Sequence, residues 1–183
     1  MTITYIVTRF LLHEAGFGLQ PAEQVCFVTG MPLLPGVIVL SQLVQVPADC
    51  AVTHARPSPA GIARAQTLLW ALGQDIYAQF HSHPGRGAEA THPSKTDLAT
   101  ARRWEDGSPF LGAVFSSDGH YVRFFNHQQD SVVHVYGERY TQLEPLLFEL
   151  HDDDLPSTDA QPRVSDGSAG TPPLVEPGAD GNG

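Results

Sequence analysis

The 183-residue chain has little cysteine, no long apolar run and few basic side chains. Its two cysteines, Cys26 and Cys50, are too few for a disulfide framework, and we expect both to be small buried residues. No segment approaches the roughly 18 consecutive apolar residues of a membrane span. The 10 basic residues face 20 acidic ones, which argues against a nucleic-acid-binding protein. We therefore expect a globular protein with neither a membrane nor a nucleic acid as its partner.

The two ends of the chain differ in composition. Residues 1–7 have no basic start, no long apolar run and no cleavage site, so we expect a cytoplasmic protein. Residues 151–183 carry a net charge of −6, are rich in Pro, Gly and Ser, and contain no aromatic residue. Such a segment cannot bury enough apolar surface to offset its chain entropy. The sequence therefore predicts one folded domain over residues 1–150 and a disordered acidic tail over residues 151–183, which we interpret as solubilising.

The body of the chain alternates strand and helix patterns. Trp70, in one predicted helix, is expected to lie in the hydrophobic core. Phe10, Leu11 and His13 are expected on the inner side of another helix. The order of elements, with a hairpin around residues 117–119, predicts an α/β fold in which helices flank a curved mixed sheet. The patterns predict helices over 8–18, 60–72 and 95–105, strands over 2–7, 25–29, 37–46, 76–83, 110–115, 121–125 and 131–136, and either type over 143–150.

Two histidines one residue apart, His81 and His83, end a predicted strand. Side chains alternate along a strand, so both imidazoles point the same way. Pro84 then ends the strand, and Ser94 with Asp97 has the pattern of a helix start, which would bring the carboxylate back toward the strand end. Two histidines and one carboxylate form the ligand set of a catalytic zinc, whereas structural sites supply four protein ligands. We predict zinc bound by the two histidines and the aspartate.

Hydrolysis at such a site also needs a general base. Glu23 opens a strand-like run that closes at Gly30. On its own, a glutamate at a strand start is more typical of a solvated surface charge. Glu14 is a second candidate, and it lies in a helix-like segment rather than at a strand start.

The combined pattern resembles one enzyme family. Glu23 lies seven residues before Gly30, the histidines lie in the run His81–Gly85, and Ser94 lies three residues before Asp97. Over roughly residues 1–135 the chain resembles the JAMM (MPN+) zinc metalloproteases of the prokaryotic JAB-domain kind. The resemblance implies the MPN fold, a three-layer arrangement similar to that of cytidine deaminases. It also implies zinc on the two histidines and the aspartate, Glu23 as the base, and Ser94 as a group that stabilises the oxyanion.

The chain departs from the family pattern at two points. Ten residues separate His83 from Ser94, where the family usually has seven. The longer loop carries Glu89 and His92, and either is an alternative metal ligand. Cys26 stands where the family commonly has glycine, which a small buried thiol can replace.

The resemblance also implies a substrate. It suggests hydrolysis of the amide bond after the Gly-Gly tail of a ubiquitin-like protein or its conjugates, with E1- and E2-like proteins as possible partners. Three alternatives stay open. They are a zinc-dependent hydrolase of small peptides or amino-acid conjugates, a processing enzyme for sulfur-carrier proteins, and a non-catalytic MPN scaffold. The scaffold is disfavoured because such relatives characteristically lack part of the zinc set, and this chain has every member.

Overall fold

The computed structural model describes residues 2–19, 24–51 and 54–152. Glu23, the Cys50 side chain and the predicted tail beyond residue 152 lie outside this description. None of the helices in the described part of the chain combines the length and the apolar character of a membrane-spanning segment. The three α-helices are α1 (Arg9–Gly18), α2 (Pro59–Ala71) and α3 (Lys95–Glu105), and a 3₁₀ turn covers Ala88–Thr91. The strands are β1 (Ile3–Thr8), β2 (Val25–Leu34), β3 (Val37–Val44), β4 (Ala48–Ala51), β5 (His54–Pro57), β6 (Asp75–Ser82), β7 (Leu111–Phe115), β8 (Tyr121–Phe125), β9 (Ser131–Tyr136), β10 (Tyr140–Glu144) and β11 (Leu147–Leu150).

Nine of these strands form one mixed sheet in the order β10-β11-β8-β7-β6-β2-β3-β1-β9, while β4 and β5 form a separate hairpin. Strand β1 runs parallel to β3 and β9, and β6 runs parallel to β7, whereas the other pairs of the sheet are antiparallel. The two edge strands, β9 and β10, are joined by only three residues. The sheet must therefore curl until its edges approach each other. Arg9 lies at this closure, where its guanidinium donates to the carbonyls of Arg139 and His151.

The helices cover both faces of the sheet. Cys26 and Val28 of β2 belong to one buried cluster, together with Leu12 of α1. Phe27, between them in β2, belongs to a second cluster with Leu69 of α2 and Ala101 of α3. The alternation along β2 places the two clusters on opposite faces. The predicted curved mixed sheet flanked by helices is confirmed, with α1 on one side and α2 and α3 on the other.

Two aromatic residues that were expected on the buried sides of helices are exposed, so these predictions were wrong. Phe10 is 68% exposed, because the buried side of α1 is formed by Leu11, Leu12 and Ala15. Trp70 is 85% exposed, although its neighbour Leu69 is buried. Consecutive helical residues point about 100° apart, so a narrow buried stripe leaves the next apolar residue in solvent.

Three further differences concern the extent of elements. Residues 140–150 form a hairpin of two strands. The segment 143–150, for which either a helix or a strand was predicted, therefore belongs to strands. The β4–β5 hairpin was not predicted, because its short strands lack an alternating apolar pattern. Strand β2 continues through Pro32, and its register with β3 shifts directly after that residue. Proline has no N–H to donate to the ladder, so it is tolerated at such an irregularity.

Candidate metal centre

Strand β6 places the two histidines at the middle of the sheet, between β2 and β7. His81 is buried within the strand, and His83 follows the strand end, where its N–H donates to the carbonyl of Phe115 at 2.9 Å. The two Nε2 atoms lie 3.2 Å apart. The expectation that both imidazoles point the same way is therefore met.

Asp97 reaches the histidines from the start of α3. The helix begins with a capping box, in which the Ser94 hydroxyl accepts from the Asp97 N–H at 3.3 Å. In return the Asp97 Oδ2 atom accepts from the Ser94 N–H at 2.6 Å. These two bonds hold the carboxylate with Oδ1 at 3.2 Å from His81 Nε2 and Oδ2 at 3.3 Å from His83 Nε2. A common helix-start motif thus also orients a candidate ligand.

Helix α3 is fixed by its packing on the sheet. Trp104 stacks on Phe110 with ring centroids 5.2 Å apart, and it contacts Phe27 at 5.5 Å between centroids. Ala101, one turn earlier, is buried. The packing role predicted for Trp104 agrees with these contacts, which hold the helix that carries Asp97.

The charge state of Asp97 suits a metal ligand. Burial by itself raises the pKa of the Asp97 carboxyl. Hydrogen bonds from His81 and His83, the charge of His81 and a hydrogen bond from Ser94 outweigh burial and hold the pKa well below its ordinary value. The carboxylate is therefore ionised at neutral pH, as metal binding requires.

The spacing of the ligand atoms fits zinc. His81, His83 and Asp97 each offer an atom, and the three atoms lie within 4.8 Å of one another. A tetrahedral zinc bound at about 2.0–2.1 Å separates its ligand atoms by about 3.3 Å. The contacts of 3.2 Å between the two Nε2 atoms, 3.2 Å from His81 Nε2 to Asp97 Oδ1 and 3.3 Å from His83 Nε2 to Asp97 Oδ2 are close to that separation, with one oxygen of the carboxylate beside each histidine. Nitrogen and carboxylate oxygen are also the ligand types that zinc accepts.

The alternative ligands of the longer loop lie elsewhere. Glu89 and His92 approach each other, with 3.5 Å between His92 Nε2 and Glu89 Oε2, and both are exposed. Neither belongs to the cluster that contains Asp97. The 3₁₀ turn holds this loop through Thr91, which is buried and accepts a hydrogen bond from Arg123 at 3.4 Å. The additional residues are thus accommodated without displacing Asp97.

The two remaining functional predictions concern Glu23 as the base and Ser94 as the oxyanion-stabilising group. Glu23 lies outside the described residues, although Gln24, next in the chain, is described. Ser94 is exposed beside the candidate ligands. The rival base Glu14 is exposed on α1. The roles of Glu23 and Ser94 therefore stay predictions.

One polar residue of this region had no assigned role in the sequence. Ser82, between the two histidines, is 3% exposed. Its hydroxyl donates to the carbonyl of Leu19 at 2.7 Å and accepts from the N–H of Gln24 at 3.3 Å. Strand alternation indicates that Ser82 points away from the histidines, but the sequence carries no signal for its two partners.

Comparison with known proteins decides the family. The model of the family described as prokaryotic homologs of the JAB domain matches residues 11–132. The chain belongs to this family. A JAB1/MPN domain protein from Archaeoglobus fulgidus is similar in structure, with a TM-score of 0.45 and 17% sequence identity over 72% of this chain and 97% of that chain. No curated protein matches.

The JAB match spans every residue that was singled out for chemistry. Glu23, His81, His83, Ser94 and Asp97 all lie between residues 11 and 132. The resemblance stated from the motifs is therefore confirmed at the level of the family. This JAB-domain protein carries a candidate metal site formed by His81, His83 and Asp97.

Proposed function

We propose that this JAB-domain protein is a zinc-dependent peptidase or isopeptidase that cleaves the amide bond after the C-terminal glycine of a ubiquitin-like modifier. The observation that carries the proposal is the convergence of His81, His83 and Asp97, with contacts of 3.2–3.3 Å between ligand atoms. Three protein ligands, rather than four, are the number found in catalytic zinc sites. The choice of substrate rests on the resemblance of the motifs to the JAMM metalloproteases.

The chain's own groups would divide the work at the metal. His81 and His83 would bind the metal through Nε2, and Asp97 would supply one negative charge. Zinc held there would act as a Lewis acid, which polarises the scissile carbonyl and lowers the pKa of a water molecule. Because His81 is buried and the other two are only partly exposed, the ligands are shielded from bulk water on the sheet side.

Two further groups complete the proposed reaction. Glu23 accepts a proton from the attacking water and returns it to the leaving amine, so that its carboxylate ends each cycle ionised. Ser94 donates a hydrogen bond to the oxygen of the scissile carbonyl as negative charge develops on it. Its hydroxyl accepts from the Asp97 N–H, and a hydroxyl that accepts still carries a proton to donate.

Zinc analysis and a cleavage assay on the same protein samples test the proposal. The substrate is a ubiquitin-like protein fused after its Gly-Gly end to a reporter, and a short blocked peptide serves as comparison. We expect about one zinc per chain, none after combined His81→Ala and His83→Ala substitution, and faster cleavage of the fusion than of the peptide. Glu23→Gln is expected to retain zinc and to lose about 10²–10⁴-fold in kcat, while the control Glu14→Gln keeps full activity.

Three results would contradict parts of this assignment. An intact protein that binds no zinc would support the non-catalytic scaffold instead. Equal rates on the fusion and on the short peptide would indicate a small-peptide hydrolase. A Glu23→Gln protein as active as the unaltered one would remove Glu23 as the base.

A further inference from the structure

We propose that Ser82 is a positioning residue for the base segment, defined here as residues 20–23, which contains Glu23. This inference rests on the proposed function, because it assumes that Glu23 is the base. Ser82 lies between the two candidate zinc ligands in the chain, but its side chain makes contacts other than those of the ligands. It hydrogen-bonds to the residue on each side of the base segment.

The contacts of Ser82 involve both its side chain and its backbone. The hydroxyl donates to the Leu19 carbonyl at 2.7 Å and accepts from the Gln24 N–H at 3.3 Å. The Ser82 N–H also donates to the Gln24 carbonyl at 3.2 Å. One hydroxyl therefore joins the end of α1 to the start of β2. Only the hydroxyl reaches Leu19, so the link to α1 depends on the serine side chain.

Both flanking residues are attached to rigid structure. Leu19 is 3% exposed and donates its N–H to the carbonyl of Ala15 at the end of α1. Gln24 precedes Val25, which pairs with His81 in the antiparallel ladder between β2 and β6. Glu23 is bonded directly to Gln24, so their Cα atoms are about 3.8 Å apart. A shift of Gln24 would thus be transmitted to Glu23 across a single peptide unit.

The hydrogen-bond ladder between β2 and β6 and the Ser82 hydroxyl hold different residues in place. From Val25 onward, β2 is held to β6 by backbone bonds that do not need the Ser82 side chain. Without the hydroxyl, the Leu19 carbonyl and the Gln24 N–H lose a buried partner, while the histidines keep their strand. A displacement of about 1 Å at a catalytic group can reduce the rate by about 10²-fold. Removing the hydroxyl should therefore lower kcat and leave zinc binding unchanged.

The experiment compares Ser82→Ala, Ser82→Thr and a matched control, Ser41→Ala. The Ser41 hydroxyl also donates to a strand carbonyl, that of Thr29 at 3.4 Å, but it lies on β3 away from the ligands. We measure zinc content, amide hydrogen exchange of peptides covering residues 19–24, and kcat and KM for the fusion substrate. Ser82→Ala should retain one zinc per chain, exchange faster over residues 19–24, and lose about 10- to 100-fold in kcat with little change in KM. Ser82→Thr should recover most of that loss, because it restores the hydroxyl, and Ser41→Ala should match the unaltered protein.

Combining Ser82→Ala with Glu23→Ala separates this inference from the proposed function. If Ser82 acts through Glu23, the serine substitution causes no further loss once Glu23 is absent. An equal loss in both backgrounds, unchanged exchange over residues 19–24, or loss of zinc from Ser82→Ala would each overturn the inference while Glu23 remained the base. A fully active Glu23→Gln protein would instead refute the proposed function, and the exchange data would not alter that result.

Discussion

Helices α2 and α3 begin in the same way but differ in what their first turns do. Ser58 accepts from the N–H of Gly61, and Ser94 accepts from the N–H of Asp97, both at 3.3 Å. In α2 the third residue after the cap has no side chain. In α3 it is a carboxylate that returns the bond to the cap and faces the two histidines. A serine cap therefore indicates where a helix starts. Whether the helix start can also bind a metal depends on the third residue after the cap and on the side chains that the neighbouring strand places beside it.

The largest effect is expected from Asp97→Asn. The amide oxygen of asparagine can still accept from the Ser94 N–H, so α3 keeps its capping box, but the negative charge is lost. We expect zinc to bind more weakly and the cleavage rate to fall by about 10³-fold or more, because a neutral amide is a poorer zinc ligand than a carboxylate. Zinc titration and the fusion-cleavage assay measure both changes.

Ser58→Ala is the control for that substitution, because it alters the equivalent helix start without a metal ligand. It should leave zinc content and cleavage unchanged. Retention of full zinc affinity by Asp97→Asn would show that the carboxylate does not bind the metal, and the difference between the two helix starts would then be one of capping alone.

The tryptophans of the two helices provide the second contrast. Trp104 of α3 stacks on Phe110, whereas Trp70 of α2 is 85% exposed. We expect Trp104→Ala to lower the free energy of unfolding by about 3 kcal/mol. Trp70→Ala should change it by less than about 0.5 kcal/mol, because surface substitutions away from packed contacts have small effects. Urea unfolding of both variants measures the difference, and similar losses for the two would contradict the packing described for α3.

The serines themselves give a third contrast. Ser94→Ala and Ser58→Ala should each lower the free energy of unfolding by about 1 kcal/mol, because each removes a helix cap. Only Ser94→Ala should also lower kcat, by about 10²-fold, because it removes the proposed hydrogen bond to the oxyanion. Parallel unfolding and cleavage measurements test this. Equal stability losses with unchanged kcat in both variants would limit Ser94 to its structural role.

Features set by local sequence patterns could be predicted, whereas features set by packing between distant residues could not. The ends of α3 were predicted correctly, and His81, His83 and Asp97 were predicted to meet, because strand alternation and the serine cap are local patterns. Trp70 was misplaced because the apolar residues of α2 do not reveal how narrow its buried stripe is. That width depends on the strands beneath the helix, which are distant in the sequence.

The partners of Ser82 are a further example of what local patterns omit. Its alternation in β6 could be read from the sequence, but its bonds to Leu19 and Gln24 connect residues 63 and 58 positions apart. The antiparallel pairing of β2 with β6 brings Gln24 to Ser82, whereas Leu19 reaches it through the buried cluster that α1 shares with β6. The exposure of Glu89 and His92 likewise follows from the 3₁₀ turn, for which the loop composition carries no pattern.

The smallest effect is expected in the loop that leads into α3. Glu89 and His92 are exposed and approach each other at 3.5 Å, and neither belongs to the Asp97 cluster. The double substitution Glu89→Gln and His92→Ala should therefore leave zinc content unchanged and alter the free energy of unfolding by less than about 0.5 kcal/mol. Thr91→Val is the informative partner variant, because it removes the buried hydroxyl that accepts from Arg123 and keeps the side-chain volume. If the double variant lost zinc while Thr91→Val kept it, the loop would supply a ligand, and the start of α3 would not be sufficient to complete the site.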